Sequence, residues 1–191
     1  MTRTVMRVIV VGLAGLGVVG QVLAAVLLVT VVLRVAGVRA PFAFVRERLH
    51  GFELWLAFAV ATVATGGSLF FSEVAHFPPC LVCWYERGCM YPLSVITLIV
   101  AASGWHKASR WLLPLAIAGT GFSIYHLLIE NGVVRQTLDC WVSAPGGCGL
   151  MWINEFGYVT IPTLALTAFI LIVEFLLLDI VKDPRTATEP V

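Results

Sequence analysis

Five cysteines carry most of the reactive chemistry in this chain: Cys80, Cys83, Cys89, Cys140 and Cys148. Cys80 and Cys83 lie in the stretch Pro79-Cys80-Leu81-Val82-Cys83-Trp84-Tyr85-Glu86-Arg87. A Cys-x-x-Cys pair is a redox or metal signal. A bridge across so small a loop removes little entropy from the unfolded chain, so a purely stabilising disulfide would not be placed there. Reversible dithiol chemistry explains the pair better. If a helix begins near Cys83, its free N–H groups and positive dipole end favour a thiolate on that sulfur. Arg87 is four residues on, hence on the same helical face. Cys83 is therefore expected to be the activated thiol, with Arg87 stabilising negative charge beside it. The plainer reading of Arg87 is a long basic side chain snorkelling to the membrane surface; its register with Cys83 favours the first role.

The same residues admit a metal reading. Cys-x-x-Cys is a good zinc half-site. Cys140 and Cys148, with seven residues between them, are not the usual second half, and a structural zinc leaves Arg87 without a role. No metal ligand is assigned on this basis. Cys89 lies two residues past Arg87 on another face and reads as a small hydrophobe. His126 stands near the end of an apolar run, where a lone histidine is ordinarily interfacial.

The elements that must position these groups are membrane helices. Of 191 residues 60% are hydrophobic and 12% charged, and the mean hydropathy is +0.96. A soluble domain is about 25% charged and about 45–50% apolar, so the bilayer is the expected solvent. A net charge of +1 offers no basic field for nucleic acid. Apolar runs long enough to span, about 20 residues each, cover 5–35, 52–71, 83–103, 111–129 and 158–178. The first far exceeds the h-region of a signal peptide and is read as a retained helix. Thr62, Thr65, Gly66, Gly67 and Ser68 in the second permit close helix approach. Pro92 falls inside the third span, and Pro162 opens the fifth.

Charge sets the orientation. Arg34, Arg39, Arg46, Arg48, Lys107, Arg110, Lys182 and Arg185 fall on one side, which the positive-inside rule makes cytoplasmic. The connection holding the first four also contains His50, with Pro41 breaking the chain, and reads as a loop; His106 joins Lys107 in another. Arg87 and Arg135 fall on the opposite side, with both cysteine pairs. Arg3 and Arg7 do not fit, because a single first span places them outside; a re-entrant or interfacial segment is the alternative. An extracytoplasmic position permits disulfides.

Cys80-Leu81-Val82-Cys83-Trp84-Tyr85-Glu86-Arg87 resembles the motif of the DsbB family of membrane disulfide-forming oxidases in its cysteine spacing and in Tyr85, Glu86 and Arg87. The run from Cys148 to Leu166, with Phe156-Gly157 and Thr160-Ile161-Pro162, is similar to the BdbC-like branch of Gram-positive bacteria. The likeness covers roughly residues 52–180. It implies an all-α membrane protein: a four-helix transmembrane bundle, here with an additional N-terminal apolar helix. It implies a quinone cofactor (menaquinone or ubiquinone) near the outer surface, with Cys83 nearest the ring, Arg87 supporting it and His126 as a further contact. It implies that Cys140 and Cys148 form the pair that exchanges with an extracytoplasmic, DsbA-like thioredoxin-fold dithiol oxidase. Cys140 would then make the mixed disulfide, and Cys148 would pass electrons to Cys80. The implied location is a bacterial cell membrane, spanned several times, with the active cysteines extracytoplasmic.

Residues 1–50 are accordingly read as an extra N-terminal helix and basic cytoplasmic loop, 51–181 as the DsbB-like bundle with two cysteine loops, and 182–191 as a polar tail. The expected function is thiol:quinone oxidoreduction. The alternatives are a vitamin K epoxide reductase-like enzyme, whose quinone-proximal cysteine pair comes late in the chain, and a non-enzymatic membrane protein with structural disulfides or zinc.

Overall fold

A computed structural model describes residues 3–38, 40–105 and 108–181 of the chain. Arg39, His106, Lys107 and the 182–191 tail with Lys182 and Arg185, all used above, lie outside the described residues. The elements are α1 (Arg3–Val35), α2 (Ala40–Leu49), α3 (Glu53–Leu69), α4 (Leu81–Ser103), α5 (Ser109–Glu130), the short α6 (Leu138–Ser143) and α7 (Ile161–Ile180). A π-helical turn, Phe70–Val74, extends α3, and a 3-10 turn covers Gly147–Gly149. The protein is an all-α membrane protein. Helices α1, α3 with its extension, α5 and α7 are each long and apolar enough to cross a bilayer. Helix α4, at 23 residues, carries Glu86 and Arg87 in its first two turns.

Helices α3, α4, α5 and α7 form a closed ring, each packing on two neighbours. Phe169, Ile172 and Leu176 of α7 meet Leu93 of α4 and Ala116 of α5 in the main core. Gly119 lets α5 reach α7: a Cβ there would stand 2.1 Å from a Phe169 ring carbon. Small residues serve this purpose wherever helices pack without a hydrophobic driving force between them. Farther along the same pair, Ser109 Oγ donates a hydrogen bond to Asp179. Pro92 and Pro114 lie inside unbroken helices, and Pro162 occupies the first turn of α7, where no N–H is required.

One expectation changes and one open alternative closes. The connection read as a loop broken at Pro41 is largely helical: α2 holds Pro41 in its first turn and buries Phe42 against α1 and α7. Pro41 thus initiates a helix rather than ending one. The first apolar run is one continuous 33-residue helix, the retained helix expected, and not a re-entrant segment. It lies outside the ring, parallel to α7, with Gly17 at Leu164 and Gly20 at Thr167 and Leu171. Lower down, Ala24 and Leu27 join Leu171, Phe175 and Leu178. Arg3 and Arg7 therefore sit at the same end as the cysteines, beside Glu155.

Candidate active site

The dithiol is built at the start of α4. Pro78 and Pro79 hold the approach extended, because a proline disfavours helical backbone in the residue before it. Cys80, still extended, becomes the N-cap, and its sulfur accepts the Cys83 N–H at 3.4 Å. The two sulfurs are 2.9 Å apart as free thiols. Sequence reasoning placed the helix start near Cys83 and its N–H groups around that sulfur. The helix begins two residues earlier, so the capping N–H serves Cys80 instead. Cys80 is also the sulfur that faces His126, whose Nε2 is 3.7 Å away. The hydrogen-bonded Cys83 thiol lowers the Cys80 pKa most, burial opposes it, and His126 lowers it further, to about 4. In the dithiol form the negative charge therefore rests on Cys80.

His126, read either as an interfacial histidine or as a quinone contact, is buried on α5 and lines the cavity described below. Its Nδ1 lies 3.3 Å from a carboxylate oxygen of Glu86 on α4, giving a buried line Cys80–His126–Glu86 across two helices. Glu86 entered the sequence reading only as a motif letter. The usable signal was its position: Val82, Glu86, Cys89, Met90, Leu93, Thr97 and Val100 form the buried face of α4. An acid in register with an apolar face requires a partner. Cys89, on the same face, packs with Met90 and Leu93 in the core.

Arg87 is anchored rather than free. Its Nε donates to Ser68 Oγ and a terminal nitrogen to the Ser68 carbonyl, both at 3.0 Å. The guanidinium also lies 5.3 Å from the Trp84 ring centroid, within cation–π range. Ser68 stands two residues before the π-helical turn; such turns recur at functional sites.

The second pair is joined: Cys140 and Cys148 form a disulfide with a Cα–Cα distance of 5.3 Å. Thr137 caps α6 by accepting the Cys140 N–H. The Gln136 side-chain oxygen accepts the Cys148 N–H at 2.8 Å. The Leu81 N–H donates to Ser143 Oγ at 3.1 Å, which ties this loop to the start of α4. Cys80, Cys140 and Cys148 consequently share one buried cluster with Val82, Ile129 and Ala144. The four loop cysteines, 57 or more residues apart between pairs, have been brought to one place.

All of this opens on a cavity of about 370 Å³. Cys80, Cys83, Arg87, His126 and Glu130 line one end, and side chains of α1, α3 and α7 line the rest. Phe77 and Trp152 stack at 5.0 Å at the cysteine end. A mainly apolar space with a few polar side chains among its lining suits a lipophilic ligand with a polar head.

The profile of a family described as "Disulfide bond formation protein DsbB" matches residues 51–178. The chain belongs to the DsbB family. A "Probable disulfide formation protein" of Deinococcus radiodurans is 43% identical over 133 residues, covering 65% of this chain and 86% of that protein. "Disulfide bond formation protein C" of Bacillus subtilis is 42% identical over 125 residues, covering 65% of this chain and 90% of that protein. A "Probable disulfide formation protein" of Coxiella burnetii is 34% identical over 136 residues. No solved structure matches. Membership of the DsbB family makes the chain a disulfide-forming membrane oxidoreductase. A four-cysteine zinc site is not formed, because Cys140 and Cys148 are bonded to each other. Cys80, Cys83 and His126 nevertheless bring their ligand atoms within 4.8 Å of one another, a spacing that would suit a metal ion.

Proposed function

We propose that the protein is a thiol:quinone oxidoreductase of a bacterial cell membrane. It reoxidises an extracytoplasmic thioredoxin-fold dithiol oxidase and passes the electrons to membrane quinone. The observation that carries this reading is the gathering of both cysteine pairs in one cluster, with Cys80, Cys83 and Cys148 lining one mainly apolar cavity.

The electrons move as pairs. A partner thiolate attacks the Cys140–Cys148 disulfide; the second partner thiol resolves the mixed disulfide, leaving the partner oxidised and Cys140 and Cys148 as thiols. Those thiols reduce a Cys80–Cys83 disulfide in the same way and regain their own bond. Free thiols at 80 and 83 with a disulfide at 140 and 148, the pattern of this structure, are what such an exchange would leave. A bound quinone supplies the acceptor for two electrons and two protons, which regenerates the Cys80–Cys83 bond. Arg87, fixed on Ser68, offers positive charge where negative charge develops in the cavity. His126, between Cys80 and Glu86, is placed to move a proton away from the thiol. Cys83 lines the cavity and is the sulfur we assign to the quinone side; Cys80, with its stabilised thiolate, is the better leaving group in exchange. Both outer cysteines are buried, so the partner must displace part of the 138–149 loop to reach them.

The test is anaerobic. Oxidised, metal-analysed protein is mixed with a reduced thioredoxin-fold dithiol protein and a quinone, and quinol is followed by absorbance. Quinol equal to the thiol pairs consumed is expected. Absence of quinol formation with either ubiquinone or menaquinone overturns the proposal, as does stoichiometric zinc held by Cys80, Cys83 and His126.

A further inference from the structure

The cavity has a wall that the family match leaves out. That match begins at residue 51, whereas α1 ends at Val35. Yet Leu13, Leu16, Gly17, Val19, Gly20 and Leu23 of α1 all line the cavity. From Leu13 to Leu23 is about 15 Å along a helix axis. This wall begins beside the outer end of α3, where Leu13 approaches Gly67, and runs inward away from the cysteines. The space it covers lies between α3 and α7, which contribute Val60, Val63, Leu164 and Leu171 to the same lining.

The placement of α1 is specific. Four glycines fall between positions 12 and 20, and two of them, Gly17 and Gly20, face α7. A Cβ on Gly17 would stand 2.2 Å from a Leu164 methyl carbon. A Cβ on Gly20 would stand 3.2 Å from Thr167 Cγ2 and 3.3 Å from Leu171 Cδ1. Gly12 and Gly15 would meet nothing within 4 Å. Gln21 adds a polar tie, accepting a hydrogen bond from the Tyr158 hydroxyl at 2.8 Å. Tyr158 belongs to the segment leading into α7, so the tie fixes α1 in rotation and height at the level of the two close glycines.

We propose that α1 is a selectivity wall: its Leu13–Leu23 face lines one side of the cavity, beside α3 and α7, and holds the polyprenyl tail of the quinone. The inference rests on the quinone reading above and deepens it. The cavity is continuous from the polar end at Cys83 and Arg87 to a part walled by aliphatic side chains. An apolar extension of the reacting ring can occupy that part without burying unpaired polar groups. The wall thus favours long-tailed quinones over tail-less ones, and Gly17 sets its distance from α7.

Two measurements on the full-length protein in nanodiscs test this. The first is photolabelling with a quinone carrying a diazirine in its second or third prenyl unit, followed by peptide mapping. Label on the 13–23 face of α1 is expected; label confined to α3, α4 or α7 overturns the proposal. The second compares Gly17→Leu with Gly15→Leu, using dithiothreitol as reductant and matched quinones with and without a polyprenyl tail. Gly17→Leu is expected to raise the ratio of KM for the tailed to the tail-less quinone about tenfold, as loss of tail contacts would. Gly15→Leu keeps the wild-type ratio. Equal ratios in all three proteins overturn the wall. Thermal unfolding of each variant separates displacement of α1 from collapse of the bundle. If wild-type protein reduces no quinone yet is labelled on α1, the functional reading fails and the wall stands. If it reduces quinones but α1 is unlabelled, the wall alone fails.

Discussion

The Cys80 sulfur lies 3.7 Å from His126 Nε2, although the two residues are 46 positions apart in sequence. The opposite ring nitrogen faces Glu86, so the imidazole sits between a thiol and a carboxyl. This arrangement makes the reactivity of Cys80 depend on residues of two helices. Cys80, with a pKa lowered to about 4 from an ordinary 9.0, is a thiolate throughout the neutral range. Its alkylation rate should stay level from pH 8 down to about pH 5 and fall only near pH 4 and below. An ordinary thiol loses about tenfold per unit of pH once below its pKa. In His126→Ala one of the groups lowering the Cys80 pKa is gone, and the midpoint should move upward. Stopped-flow labelling of the reduced protein against pH reads this directly; an unshifted midpoint refutes the coupling.

Arg87 and Ser68 make a second pair with kinetic consequences. Hydrogen bonds to a charged group contribute about 1.5–3 kcal/mol each. Arg87→Ala should raise KM for quinone by about tenfold or more and leave partner-driven reduction of the Cys140–Cys148 disulfide intact. Ser68→Ala removes the hydroxyl but not the carbonyl that Arg87 also uses, so its effect should be smaller. Arg87→Lys should not restore the wild type, because an ammonium lacks the planar fork that reaches both atoms. Steady-state kinetics at varied quinone concentration distinguish the three.

The two cysteine pairs should separate by reductant. Cys140→Ser or Cys148→Ser should abolish turnover with a thioredoxin-fold partner while retaining quinone reduction driven by dithiothreitol. Cys80→Ala should lose both, since the dithiol itself is broken. Measuring quinol formation with each reductant tests the order of the relay; partner-driven turnover in Cys148→Ser would contradict it.

Gly119 gives a prediction about stability alone. A methyl group there meets the Phe169 ring at 2.1 Å, and Phe169 is fully buried. Overpacking of this kind costs about 1–3 kcal/mol. Gly119→Ala should lower the unfolding temperature, whereas Gly121→Ala, with nothing within 4 Å of its added carbon, should not. Thermal unfolding in one detergent compares them.

What could be read along the chain were the properties that depend on a residue and its near neighbours. Hydropathy over a window decides whether a segment enters lipid, so the spans near α3, α5 and α7 were legible from composition alone. The asymmetry of lysine and arginine put both cysteine pairs at one end of those spans. The register of Cys83 and Arg87 followed from the helical period, and both line the cavity. Local rules failed where a boundary mattered: the spacing pointed to a helix beginning near Cys83, and a shift to Leu81 transferred the capping N–H to Cys80.

Only the tertiary structure decided the contacts among helices. A period of 3.6 residues states which residues share a face, but not which face of another helix meets it. The union of Glu86 with His126, the hold of Ser68 on Arg87 and the seating of α1 against α7 depend on the rotation and height of one helix relative to the next. Those are set by side-chain volumes such as Phe169 over Gly119 and Leu164 over Gly17, quantities that exist only once two helices are packed together.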